Sequence, residues 1–166
     1  MQTKYSFPAV AAADARLLIL GSLPGEQSLA QAQYYAHPQN AFWRLVGEVI
    51  GVDLVAQDYT NRLATLRAHR IGLWDVVASA SRSGSLDSQI RDHTSNDIAG
   101  LLASLPQLST IAFNGATAAR HGLKQLGDTA AKYRIVQLPS SSPAHTLAYA
   151  QKLQAWLALA DALPPA

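Results

Sequence analysis

The sequence predicts an α/β protein of three layers, α/β/α, around a central four-stranded, mostly parallel sheet. Two observations predict this fold. Four short apolar runs have the length of buried strands; they are LLIL at 17–20, GLWDVV at 72–77, TIAF at 110–113 and RIVQL at 134–138. Segments with helical spacing of apolar residues separate these runs. Because strands that alternate with helices form parallel sheets through right-handed crossovers, we expect helices on both faces.

The helices are predicted from apolar spacing and from residues that begin or end a helix. The clearest segments cover residues 41–50, 60–70, 115–126 and 146–163. Gly51 is placed to end the first of them, and the second shows the weakest pattern. One more helix is predicted to be capped by Thr94 or Ser95 and to end near Leu105, just before a proline.

Length and composition predict one domain over residues 1–166. The chain is 49% hydrophobic and 14% charged, which is typical of a globular protein and excludes disorder and a membrane span. Pro8, Asp14 and Arg16 interrupt the N-terminal segment, so no signal peptide is expected and the predicted location is the cytoplasm. The absence of cysteine excludes disulfides, thiolate zinc sites and cysteine-bound iron–sulfur clusters. A net charge of +2 is compatible with a polyanionic partner.

The unusual residues follow the predicted strands. The segments after the strands are GSLPGEQS (21–28), ASASRSGS (78–85), NGAT (114–117) and PSSSPAHT (139–146). All are rich in Gly, Ser, Pro or Asn, which permit tight turns and close approach of a ligand to the backbone. Since ligands bind at the carboxyl ends of parallel strands, these segments predict one polar binding rim, joined by the aromatic stretch YYAHPQNAFW (34–43).

Structural explanations compete with functional ones in this stretch. Phe42 and Trp43 have core-facing helical spacing and are assigned to packing. Tyr34 and Tyr35 could present a stacking surface or could be buried with satisfied hydroxyls. Asn40 could simply cap the following helix. Elsewhere, Asp75 interrupts an apolar strand, where a buried carboxylate needs hydrogen-bond donors or a function.

The motifs GSLPG, YYAHPQNAFW, GLWDV, FNG and LPSSSPAH, in this order over residues 17–146, resemble the uracil-DNA glycosylase superfamily. The resemblance is closest to its hypoxanthine-DNA (deoxyinosine) glycosylase branch. The mismatch-specific uracil glycosylase branch is also similar, through its HP-x-N-x-FW segment. Branches with an iron–sulfur cluster are excluded because the chain has no cysteine.

This resemblance implies a monofunctional glycosylase of base-excision repair. Such an enzyme flips a deaminated base, hypoxanthine or uracil, out of DNA and hydrolyses its N-glycosidic bond with an Asn-positioned water. The expected partner is DNA, duplex and also single-stranded. No cofactor and no metal are expected; two histidines at metal-ligand spacing are absent from the sequence. The expected oligomeric state is a monomer.

The resemblance also implies roles for individual residues. Asn40 would orient the attacking water, Tyr35 would stack on the flipped base, and Asp75 would read a base edge or support the pocket from behind. His37 and Pro38 would shape the turn before Asn40. The pocket lining would come from the first loop, namely Gly21, Ser22, Leu23, Pro24 and Gly25. Phosphates would be contacted by Ser140, Ser141 and Ser142; the intercalating loop would be Pro143, Ala144 and His145; further backbone contacts would be Asn114 and Gly115.

Two residues depart from the patterns of other branches. Leu23 stands where several branches carry a catalytic Asn or Asp, and Ser140 stands where others begin the final loop with a histidine. Both departures fit a glycosylase for a base other than uracil, or a poorly active member. Two alternatives to a glycosylase are therefore a non-catalytic nucleic-acid-binding module of the same fold and a hydrolase or binder of free nucleosides.

Overall fold

The computed structural model describes residues 3–164. The strands in this range are β1 (Thr3–Tyr5), β2 (Leu17–Gly21), β3 (Ile71–Asp75), β4 (Val77–Ser81), β5 (Arg91–Ser95), β6 (Thr110–Asn114) and β7 (Arg134–Leu138). The α-helices are α1 (Glu26–Gln31), α2 (Phe42–Ile50), α3 (Tyr59–Ala68), α4 (Ile98–Ala103), α5 (Ala116–Leu126) and α6 (Tyr149–Trp156). Short 3-10 helices cover Asp87–Gln89, Gly127–Lys132 and Leu157–Ala162.

The central sheet has four parallel strands in the order β3-β2-β6-β7, as predicted. In its register Gly21 lies opposite Asp75, and Asn114 lies opposite Leu138. All four strands therefore end at one edge of the sheet. The predicted strand 72–77 is divided, because β3 ends at Asp75 and Val77 already begins another strand.

Helices cover both faces of this sheet, which confirms the three-layer prediction. Alternate residues of β2 point to opposite faces. Leu17 and Ile19 belong to a core that includes residues of α2, α3 and α6, whereas Leu18 and Leu20 belong to a core that includes residues of α4 and α5. The helix predicted at residues 41–50 is α2, and its assigned packing residues Phe42 and Trp43 are buried as expected.

A second, antiparallel sheet of β1, β4 and β5 was not predicted. Its strand β5 consists of exposed residues, so no buried face marks it in the sequence. The predicted cap at Thr94 or Ser95 is wrong, because both residues lie in β5. The cap of α4 is Asp97, whose side chain accepts a 3.0 Å hydrogen bond from the Gly100 N–H.

The ends of the chain's helical segments also differ from prediction. The helix expected over residues 146–163 begins at Tyr149 and changes to a 3-10 helix after Trp156. The short helix α1 was not predicted. None of the helices between residues 3 and 164 has the length and hydropathy of a transmembrane span.

Candidate active site

A cavity of about 450 Å³ opens at the carboxyl edge of the central sheet. It is lined by every residue for which the sequence predicted a catalytic, pocket or DNA-contacting role: Gly21, Ser22, Leu23, Pro24, Gly25, Tyr35, Asn40, Asp75, Asn114, Gly115, Ser140, Ser141, Ser142, Pro143, Ala144 and His145. Fold topology explains this convergence, because parallel strands bring the segments that follow them to one edge.

Polar groups without partners form the back of the cavity. Asp75 is 4% exposed, and its Oδ2 atom has no hydrogen-bond partner within residues 3–164. The Tyr35 hydroxyl is also buried and makes no hydrogen bond of normal geometry, although the Asn114 side chain lies beside it. A Cβ atom at Gly21 would lie 2.6 Å from Asp75 Oδ1 and 2.7 Å from the Tyr35 hydroxyl. Glycine is therefore required at position 21 for these two groups to converge.

Burial changes the ionisation of this back wall. Desolvation, with a smaller contribution from the Asp87 carboxylate, raises the pKa of Asp75 to about 7, while Arg82 acts in the opposite direction. Desolvation, then the charge of Asp75, also raises the pKa of the Tyr35 hydroxyl. Near neutral pH the site thus holds a carboxyl group that is divided between its protonated and ionised forms and a phenol that keeps its proton.

The stretch 34–43 divides its aromatic residues between core and cavity. Tyr34 is 3% exposed and its hydroxyl donates to the Pro8 carbonyl at 3.0 Å, so the structural explanation holds for Tyr34. Tyr35 has a positive φ of 53° and stacks on Phe42, with ring centroids 3.9 Å apart. This contact covers one face of the Tyr35 ring and fixes it in the cavity wall.

Asn40 lies where the turn meets α2. Its Oδ1 atom accepts a 3.0 Å hydrogen bond from the Phe42 N–H, which satisfies a free donor at the start of the helix. Both explanations of Asn40 are thus compatible, because a carbonyl oxygen has two lone pairs and one of them remains free. The turn before it is held by His37 Nδ1, which accepts from the Gln39 N–H at 3.1 Å.

The loop after β7, which carries Ser140–His145 and is called the final loop, is anchored by hydrogen bonds to the end of β6 and the start of α2. Asn114 Oδ1 accepts from the Ser141 N–H, and Asn114 Nδ2 donates to Ser141 Oγ, both at 2.9 Å. The Ser141 carbonyl accepts from the Ala41 N–H at 3.0 Å, which joins the loop to the start of α2. Gly115, at φ 100°, passes close beneath Ser140, where a Cβ would meet the Ser140 Cβ at 3.1 Å. Ser141 is therefore turned inward, whereas Ser140 and Ser142 are partly exposed at the cavity.

Comparison with known proteins gives a consistent result. The family model of the uracil DNA glycosylase superfamily matches residues 7–161. The chain belongs to the uracil DNA glycosylase superfamily. A protein of Methanosarcina acetivorans named hypoxanthine DNA glycosylase is 46% identical, over 86% of this chain and 88% of its own. A protein of the same name from Methanosarcina barkeri is 39% identical, over 92% and 95%.

A solved structure supports the fold as well. The solution NMR structure of a candidate uracil DNA glycosylase from Methanosarcina acetivorans matches with a TM-score of 0.83 and 42% identity, over 96% of this chain and 97% of that one. These matches confirm the family, the fold and the DNA glycosylase class that the sequence predicted. In this superfamily member the roles of individual residues remain predictions.

Two functional candidates of this glycosylase escaped sequence reasoning. Arg82 is fully buried and donates to the Leu23 carbonyl at 3.4 Å, to the Pro24 carbonyl and to the Gly84 carbonyl at 3.1 Å. It therefore holds the first loop in place. Lys152, 5% exposed on α6, donates to the Ser142 carbonyl at 3.0 Å and supports the final loop. Arg82 lies in the polar segment 78–85 and Lys152 in the predicted helix 146–163, but the sequence singles out neither, because the burial of a charged side chain is visible only in three dimensions.

A second cavity, of about 660 Å³, adjoins the first on the side of α2 and α6. The two cavities share Tyr35, His37, Asn40 and Ser141, and the second adds the cationic side chains of Arg44, Arg62 and Lys152. Within residues 3–164 no cluster of three or more His, Asp or Glu side chains is arranged to hold a metal.

Proposed function

We propose that this glycosylase removes deaminated bases from DNA and prefers hypoxanthine. Uracil and xanthine are recognised through the same hydrogen-bonding edge of the base. Asn40 positions the water that replaces the base at C1′, and the products are the free base and an abasic site. The observation that carries the proposal is the buried Asp75 carboxyl, whose Oδ2 has no hydrogen-bond partner among residues 3–164, in a cavity of about 450 Å³ whose wall contains Asn40. The names of the two Methanosarcina relatives support hypoxanthine as the base.

Asp75 can recognise what deaminated bases share. Hypoxanthine, uracil and xanthine each present a ring N–H beside a carbonyl, whereas adenine and cytosine present an amino group beside a bare ring nitrogen. A carboxyl group that carries its proton offers one donor and one acceptor side by side, which matches the first pattern. An ionised carboxylate offers acceptors only and would leave the carbonyl of this edge without a donor, so the pairing needs the protonated form.

The same proton helps the base to leave. Negative charge develops on the departing base while the sugar becomes oxocarbenium-like. A neutral carboxyl group that donates to the base carbonyl stabilises this charge, whereas an ionised carboxylate would repel it. Asp75 is therefore assigned as a base-reading group that works in its protonated form.

Asn40 supplies the second catalytic contribution, which is the position of the attacking water. Its Oδ1 atom is fixed by the Phe42 N–H, and its free lone pair can accept a hydrogen bond from water without adding charge. Because the side chain is held by α2, a rigid element, the water would be held in a fixed position as well. Leu23 offers no polar side chain from the opposite wall, which leaves this task to Asn40.

The remaining roles follow from the position of the loops. Tyr35 forms the stacking wall for the base, while Ser140, Ser142 and the loop 143–145 face the DNA at the mouth of the cavity. Residues 1–166 act as one glycosylase domain that works as a monomer on duplex and single-stranded DNA, since distortion of one site needs no second subunit.

A single-turnover cleavage assay tests the proposal. Labelled oligonucleotides carrying hypoxanthine, uracil, xanthine or adenine are incubated with excess enzyme and treated with alkali. We expect strand breaks at the deaminated bases, most at hypoxanthine, and none at adenine. DNA retention without a break at any base would instead support a non-catalytic binding module.

A further inference from the structure

The loop between β4 and β5, residues 82–90, forms the rim of the cavity opposite the final loop. It contributes Ser85, Leu86 and Asp87 to the lining. Leu86 is 52% exposed, and of the large apolar side chains exposed between residues 3 and 164 it alone lines this cavity. Leu86 thus places an apolar side chain, with half of its surface in water, at the mouth of the cavity.

The loop is held in place at several points, although most of its residues are exposed. The Gly84 carbonyl accepts hydrogen bonds from Lys4 Nζ at 2.7 Å and from Arg82 Nε at 3.1 Å. Ser85 Oγ accepts from the Glu26 N–H at 2.9 Å, which ties the loop to the start of α1. Leu86 is therefore carried on a fixed support beside the first loop.

The acidic neighbour of Leu86 is paired with groups of the protein. Asp87 Oδ1 accepts a 2.7 Å hydrogen bond from Ser22 Oγ and lies 3.8 Å from the Arg82 guanidinium. The Arg82 guanidinium thereby offsets part of the Asp87 charge and reduces its repulsion of phosphates at the rim. The exposed residues of the loop beside Leu86 are uncharged, namely Ser83, Gly84, Ser85, Ser88 and Gln89.

The opposite rim is short of apolar bulk. Pro143 and Ala144, the predicted intercalating residues, are exposed but small. Once a base has entered the cavity, DNA must lie across both rims, and the vacated stack must be filled by an apolar side chain to offset unstacking. Leu86 is larger than either residue of the final loop and stands across the cavity from them.

We propose that Leu86 is a second DNA-inserting residue, which enters the base stack from the β4–β5 loop while Pro143 and Ala144 approach from the final loop. This inference rests on the proposed function, because it needs a flipped base in the cavity. It assigns the β4–β5 loop as part of the DNA interface and gives Leu86 a role in opening duplex DNA. It predicts no role for Leu86 in breaking the glycosidic bond.

The test compares Leu86→Ala with the matched control Leu157→Ala, whose side chain is 43% exposed and remote from this cavity. Single-turnover rates are measured on deoxyinosine opposite cytosine in a duplex and on the same strand alone. We expect Leu86→Ala to lower the duplex rate about tenfold or more and the single-strand rate less than about twofold, since a wedge chiefly offsets unstacking. The control should change neither rate. An unchanged ratio of the duplex rate to the single-strand rate in Leu86→Ala, whether from no loss or from an equal loss on both substrates, would overturn the proposal.

A second readout does not need cleavage. A duplex with a stable tetrahydrofuran abasic site and 2-aminopurine opposite it reports unstacking by fluorescence. Wild type and Leu157→Ala should raise the signal and Leu86→Ala should not; an equal rise in all three would contradict the proposal. If wild type cleaves no base but still gives a Leu86-dependent rise, the proposed function fails and the inserting role stands.

Discussion

At the scale of single residues, the protonation state of Asp75 decides which hydrogen bonds the back wall of the cavity can offer to a base. Its carboxyl is almost fully buried, and Oδ2 has no partner among the described residues. Desolvation therefore favours the neutral form and raises the pKa to about 7. The sequence indicated a special residue here, because Asp75 interrupts an apolar run. It could not indicate the protonation state, which depends on how deeply Asp75 is buried and on the charges of Asp87 and Arg82 in the β4–β5 loop.

A pH profile tests this role of Asp75. If the protonated form reads and stabilises the base, single-turnover rates on deoxyinosine should fall as pH rises through about 7. Asp75→Asn keeps a donor beside an acceptor and should retain activity while losing this fall. Asp75→Ala should lower the rate about a hundredfold to a thousandfold, the range for a removed donor that stabilises transition-state charge. A rate that rises with pH in wild type and not in Asp75→Asn would show that the ionised form acts instead.

The same residue links stability to pH. The folded pKa of about 7 exceeds the ordinary value of 3.8, so the native state keeps the proton to higher pH than the unfolded chain does. Between these values the unfolded state ionises first, and the free energy of unfolding decreases as pH rises. Asp75→Asn should therefore raise the melting temperature more at pH 8 than at pH 4. An equal change at both pH values would contradict the raised pKa.

At the scale of elements, the sequence predicted the strands and helices whose buried faces give an apolar pattern, and it missed those without such a pattern. The strands of the central sheet are visible as apolar runs, and α2 is visible through its apolar spacing. The antiparallel sheet was missed because β5 is exposed along its whole length and carries no alternation. The loop residues of the site could be predicted because they follow parallel strands. The supporting roles of Arg82 and Lys152 could not, since each depends on a charged side chain that is buried against a loop carbonyl.

The corrected start of α4 gives a direct comparison of two caps. Asp97→Ala removes the side chain that accepts from the Gly100 N–H and should lower the free energy of unfolding by about 1 kcal/mol. Ser95→Ala changes the residue that the sequence suggested and should leave it within about 0.5 kcal/mol of wild type. Urea denaturation measures both variants. A larger loss of stability in Ser95→Ala than in Asp97→Ala would show that Ser95 caps the helix.

At the scale of the whole molecule, the active cavity and the neighbouring 660 Å³ cavity form one continuous side of the protein. Arg44 lies at this second cavity, with its guanidinium carbon 3.7 Å from the centroid of the Tyr149 ring. A cation held flat on an aromatic ring keeps its N–H edge free for a phosphate. We therefore expect the strand that flanks the flipped base to pass over this cavity.

Salt dependence measures the contribution of Arg44. Arg44→Gln should weaken DNA binding uniformly across sequences and reduce the slope of log K against log salt by about one, as expected for one lost phosphate contact. Arg67→Gln is the matched control, because Arg67 is exposed on α3 and lines neither cavity. Equal slopes in wild type and Arg44→Gln would show that Arg44 does not contact a DNA phosphate.

Asn40 is assigned as the residue that positions the attacking water, and single-turnover cleavage of deoxyinosine DNA by wild type and Asn40→Ala tests this assignment most directly. The loss of a positioned catalytic group predicts a rate lower by roughly two orders of magnitude or more. DNA retention should stay near that of wild type, and a melting curve checks that loss of the Phe42 N–H partner leaves the protein folded. Rapid cleavage by wild type with this drop in the variant would establish the mechanism, whereas a near-normal rate in folded Asn40→Ala would contradict it.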